Sequence, residues 1–129
     1  MDAIQKLAPA VGRVLIALPF LIAGIGKFSA PEAMAGYIQS VGLPGFLLYP
    51  SALFEVLAAL ALIVGWQTRW AALLLAGFTL LATALFHNNL GDQMQQLFFL
   101  KNLAITGGLL YILTAGAGGF AVDKRAATA

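Results

Sequence analysis

A chain of 129 residues with a net charge of +2, in which 61% of side chains are hydrophobic and 9% charged, carries too much apolar surface for a soluble fold of its size. Soluble domains hold roughly 45–50% apolar and about 25% charged residues. So small a positive charge gives no footprint for nucleic acid. The lack of cysteine and the single histidine, His87, exclude disulfides, thiol relays, thiolate-held clusters and bis-histidine haem, and argue against a metal site. Redox chemistry would need a bound organic cofactor or a partner protein.

Four apolar runs are long enough to cross a bilayer as helices, which takes about 17–25 residues. They cover residues 9–26, 49–66, 70–86 and 98–117 of a single transmembrane domain over residues 1–129. The first has Arg13 near its start and Lys27 just past its end. Between the first two runs, Ser29-Ala-Pro-Glu32 reads as a helix start with Ser29 as cap. It predicts a short interfacial helix, broken by Gly42-Leu-Pro44-Gly45. The second run contains Glu55. Only Gln67-Thr68-Arg69 separates it from the third, so these two form a tight antiparallel hairpin flanked by Trp66 and Trp70. The fourth opens with Lys101 and Asn102 in about its first turn, and the tail from Asp123 onward is expected to fray. The fold class is an all-α, integral membrane four-helix bundle with a short interfacial helix between the first two spans.

The Lys and Arg distribution sets an orientation. Lys6, Arg13, Arg69, Lys124 and Arg125 fall on one side, against Lys27 and Lys101 on the other. Five against two places both termini in the cytoplasm. Ala33-Met-Ala35 has the form of a signal-peptidase site, but Lys27 and Glu32 intervene, so the first run is read as a span.

Helical spacing gives each span one seam of small and polar residues. Arg13, Ala17, Phe20, Gly24 and Lys27 share a face, as do Ser51, Glu55, Ala58, Leu62 and Gly65. The third seam is Ala72, Ala76, Thr79, Thr83 and His87, and the fourth Asn102, Thr106, Leu109 and Leu113. Small residues let membrane helices approach closely, so the seams should face one another. Lys27, Glu55, His87, Lys101 and Asn102 then share one half of the bundle, the outer half in this orientation. They form a candidate ligand-binding or ion-pair pocket with Lys27 or Lys101 as counter-ion to Glu55. Two lysines beside one glutamate suit an anion or a polarisable carbonyl, and His87 could relay a proton. Simpler readings stand beside this one. The Glu–Lys pair could fix helix register alone, His87 could sit among headgroups, and the threonines could serve packing. Arg13 reads as a cytoplasmic-side anchor that snorkels to lipid phosphates.

These residues resemble the DoxX family of small four-helix bacterial inner-membrane proteins. Arg13, Phe20, Gly24 and Lys27-Phe28 resemble its first-helix pattern, and Gly42-Leu-Pro44 its loop. Glu55, Gly65, Thr68 and Arg69 resemble its second helix and hairpin. His87 followed by Phe98-Phe-Leu-Lys101-Asn102-Leu-Ala-Ile-Thr-Gly107-Gly108-Leu-Leu110 is the most specific string. Gly116-Ala-Gly118-Gly-Phe-Ala-Val-Asp123 resembles the closing motif, with Ala121 where Ser is common. The resemblance implies a multi-pass inner-membrane location. Some relatives belong to membrane oxidoreductase complexes, including thiosulfate–quinone oxidoreductase; others are linked to oxidative stress, and many have no assigned activity.

Three functions follow as expectations. The first is a membrane redox component whose outer pocket binds a quinone, with a partner protein supplying electrons. The second is a non-enzymatic scaffold or assembly factor. The third is a small proton-coupled transporter; Arg13 and Lys27 in the first span count against cationic cargo. No metal, haem or disulfide is expected. The partners are the lipid bilayer, a redox protein under the first reading, and a second copy of the chain, since so small a bundle suits a homo-oligomer.

Overall fold

The computed structural model describes residues 2–86 and 91–123. Five α-helices make up almost all of it: α1 (Asp2–Ser29), α2 (Pro31–Gln39), α3 (Leu48–Val64), α4 (Thr68–Phe86) and α5 (Gln93–Ala115), with a 3₁₀ turn over Gly45–Leu47 leading into α3. α1, α3 with its leading turn, α4 and α5 are each long and apolar enough to cross a membrane. At about 1.5 Å per residue, the 28 residues of α1 reach about 42 Å, beyond the roughly 30 Å hydrocarbon core.

Around the bundle the order is α1, α3, α4, α5. α1 packs along α3 and α4 along α5, α3 meets α4 through the short hairpin, and α5 touches α1 at few positions. The core is made of small residues and leucine: Ala17, Ala59, Leu62, Ala72, Leu75 and Leu109 have no exposed surface. The seams turn inward as helical spacing requires, and Arg13, Phe20, Glu55, Thr79, Thr83 and Thr106 are all buried. The opposite faces expose large apolar side chains, among them Ile22, Leu57, Leu81 and Leu100. That is the inside-out distribution a helix needs when its solvent is lipid.

Several helix ends differ from the sequence expectation. Ser29 is the last residue of α1, where its hydroxyl bonds the Ile25 carbonyl at 3.4 Å. The cap position of α2 falls to Ala30, with Pro31 at the first turn and no side-chain cap. Proline needs no N–H there, so the start does not require one. α5 begins five residues before its apolar run, because Asp92 caps it by accepting the Met94 amide at 3.2 Å. Lys101 and Asn102 therefore sit more than two turns inside the helix. Gly116, at φ 83°, ends α5.

Candidate functional site

Lys27 and Glu55 come together because α1 and α3 cross at a glycine. A Cβ on Gly24 would lie 2.7 Å from Val56 Cγ2 and 3.0 Å from the Ala52 carbonyl oxygen. Only the missing side chain permits that approach. One turn further on, the Lys27 ammonium donates to Glu55 Oε1 as a salt bridge. Glu55 is 3% exposed, so the pair is internal to the bundle, and the amine also lies 5.4 Å from the centre of the Phe78 ring. Of the two counter-ions expected for Glu55, the structure brings in Lys27.

Lys101 lies apart from the pair. Its ammonium is 5.0 Å from the centre of the Phe98 ring, one helical turn away, and the residue is exposed. Asn102 ties α5 to α4 by donating its amide to the Thr83 hydroxyl at 3.0 Å. The threonines bond within their own helices: Thr79 to the Leu75 carbonyl, Thr83 to that of Thr79 and Thr106 to that of Asn102. Each of those hydroxyls is thus hydrogen-bonded, and Thr79 also lines a cavity in the bundle. His87 lies outside the described residues.

Between these groups is a cavity of about 600 Å³. α1 lines it from Pro19 to Lys27, α3 with Ser51, Phe54 and Glu55, α4 with Phe78, Thr79 and Phe86, and α5 with Lys101, Asn102 and Ile105. On α1 the wall begins at Pro19, just after Ile16, whose Cδ1 lies 2.7 Å from where a Gly108 Cβ would sit. α1 and α5 thus meet below Pro19, and the cavity occupies the space above, on the side of the bundle where helix contacts are fewest. α2 closes the end of the cavity with Met34, Tyr37 and Ile38, and the Tyr37 ring stacks on Phe86 at 4.7 Å. The wall is mainly apolar and aromatic, with cationic, amide and carboxylate groups at a few points. Among the described residues no group of three histidine, aspartate or glutamate side chains gathers to hold a metal.

A second polar layer lies at the other end of the bundle, and it corrects the reading of Arg13 as a snorkelling anchor. Arg13 is 2% exposed. Its guanidinium donates to the carbonyls of Leu62 and Ile63 at 3.0 and 3.1 Å, and to those of Gly119 and Phe120, both at 2.8 Å. The first two lie in the last turn of α3, where the helix dipole is negative, and the Leu62 carbonyl also accepts the Gly65 amide at 3.2 Å. The others belong to the segment after α5, which folds back under the α3–α4 hairpin. Gly65 allows this at φ 73°: a Cβ there would strike Ala121 Cβ at 2.4 Å and Arg13 Nη1 at 2.7 Å. The internal carbonyls give the planar guanidinium four acceptors.

Asp123, expected to begin a frayed tail, is bound as well. Its carboxylate accepts the backbone amides of Gln67 and Thr68, each at 2.8 Å, and so caps α4 from 55 residues away. Its own amide donates to the Gly65 carbonyl at 2.8 Å. Partial burial raises the Asp123 carboxyl, but the amides of Gln67 and Thr68 and the Arg13 charge, with the Thr68 hydroxyl close by though not in hydrogen-bond geometry, outweigh it and set the pKa below the usual value.

Comparison with known proteins agrees with this architecture. The DoxX family model matches residues 8–88. The chain is 37% identical to the inner membrane protein YqjF of Escherichia coli K12 over 124 residues, covering 96% of this chain and 95% of that one. It is 29% identical to the inner membrane protein YphA of the same organism over 89% of this chain and 87% of the other. CatD of Bacillus subtilis, which carries an oxidoreductase name, is 31% identical over 64 residues, half of this chain and 48% of its own. No solved structure matches.

Proposed function

The chain belongs to the DoxX family, and we propose that it is an inner-membrane component of a redox system whose cavity binds a quinone-like molecule. One observation carries this reading: a mainly apolar cavity of about 600 Å³ within the spans, with Lys27, Glu55, Lys101 and Asn102 in its wall. Small-molecule sites run from about 300 to 1,000 Å³ and combine apolar walls with a few placed polar groups. A quinone, when bound, supplies the electron-accepting ring that a cysteine-free chain lacks. Lys27 and Lys101 are donors for a ring carbonyl, and Glu55 holds Lys27 in place. The oxidoreductase name of CatD is consistent with such a role. Electrons would come from a partner protein. The excess of Lys and Arg at the Arg13 end supports placing both termini in the cytoplasm and the cavity in the outer half of the membrane.

Binding is the test. Protein purified in mild detergent should yield a quinone on organic extraction and mass spectrometry, or bind a short-chain ubiquinone analogue saturably in lipid nanodiscs. Failure of both removes the reading. One observation favours a scaffold instead: the Lys27–Glu55 pair is complete without a ligand. A Lys27→Leu, Glu55→Leu double variant that is stable and fully active in cells would establish that second reading.

A further inference from the structure

Resting on the reading of the cavity as a site for quinone-like rings, we propose that its ligand is an anion, with Lys101 as the charge partner. Three charged side chains line the cavity among the described residues: Lys27, Glu55 and Lys101. Lys27 and Glu55 neutralise each other, so the wall keeps one positive charge. Lys101 rests on the Phe98 ring at 5.0 Å, and neither Glu32 nor Asp92, the other carboxylates at this end, lies within ion-pair distance of it. The face of an aromatic ring offsets only part of a full charge. In the low-dielectric wall of a membrane cavity the remainder is poorly screened. A neutral ligand would displace water from Lys101 and leave that charge uncompensated, whereas an anion removes the cost. Lys101 stands in the cavity wall on α5, beside the side of the bundle where α1 and α5 barely meet, so a ligand in the cavity can reach it.

The experiment compares two rings of nearly equal shape in phosphatidylcholine nanodiscs at neutral pH. 2-Hydroxy-1,4-naphthoquinone is ionised there, and 2-methoxy-1,4-naphthoquinone is neutral. The hydroxy compound should bind about tenfold tighter or more. Lys101→Gln should bring the two affinities together, while Lys101→Arg should keep the preference. Equal affinities in the unaltered protein, or a preference that survives Lys101→Gln, overturn the proposal. Binding of the methoxy compound alone overturns it too, but leaves the quinone reading standing. Binding of neither removes both.

Discussion

Arg13 and Glu55 are both ionisable groups buried in a membrane bundle, and each is partnered differently. Arg13 bonds through its two terminal nitrogens, while its Nε makes no hydrogen bond. Glu55 has one ionic partner, Lys27. Removing either charge strands the other in the core, so Glu55→Leu should lower unfolding stability by about 3–5 kcal/mol. The Lys27→Leu, Glu55→Leu double variant should recover most of that loss, as read by thermal unfolding in one detergent. Among the described residues no carboxylate lies within salt-bridge distance of Arg13; four backbone carbonyls accept its hydrogen bonds. No single replacement restores them. Arg13→Leu should cost about 3 kcal/mol or more, and limited proteolysis should then cut the segment after α5 sooner than in the unaltered protein. Arg13→Lys, with a point charge in place of a planar fork, should recover only part of the stability.

At the scale of elements, the clasp between Asp123 and the start of α4 gives a pH dependence whose sign is fixed. The Asp123 pKa is lowered in the folded protein, so its contribution is complete above the ordinary carboxylate value and is lost as pH falls through the lowered one. Asp123→Asn should cost about 1 kcal/mol at neutral pH, as loss of a helix cap does. It should also flatten the acid limb of a melting-temperature profile. Sequence periodicity exposed the four seams because a helix buries one face whatever its neighbours are. It placed the start of α5 too late, since Gln93, Gln95 and Gln96 interrupt the apolar run and the Asp92 cap draws them into the helix. The Asp123 cap was invisible for a different reason. Its partners stand 55 and 56 residues away, and no local pattern encodes that contact. The sequence offered Lys27 or Lys101 as the counter-ion to Glu55, and only the crossing of α1 and α3 at Gly24 decides for Lys27.

For the molecule as a whole, the polar residues of the cavity were legible in the sequence, but its size was not, because empty volume depends on how far apart two helices stand. Ala82, half-buried in its wall, gives a direct test. Ala82→Phe should fill space at little cost to stability and weaken quinone-analogue binding about tenfold or more, while Leu57→Phe, on the lipid face, should change neither. Lys27 and Arg13 lie 14 positions apart on one helix, or about 21 Å along its axis. The bundle therefore has two polar layers, one beside the cavity and one that latches the chain.

The latch constrains how the protein is made. When α1 first enters the bilayer, its guanidinium has none of its eventual acceptors. Two arrive with the end of α3, and the other two only after α5 has been threaded. Until then the cation in the first span lacks the hydrogen bonds that settle it in the finished bundle. Closure of the last segment over Arg13 marks the completed molecule.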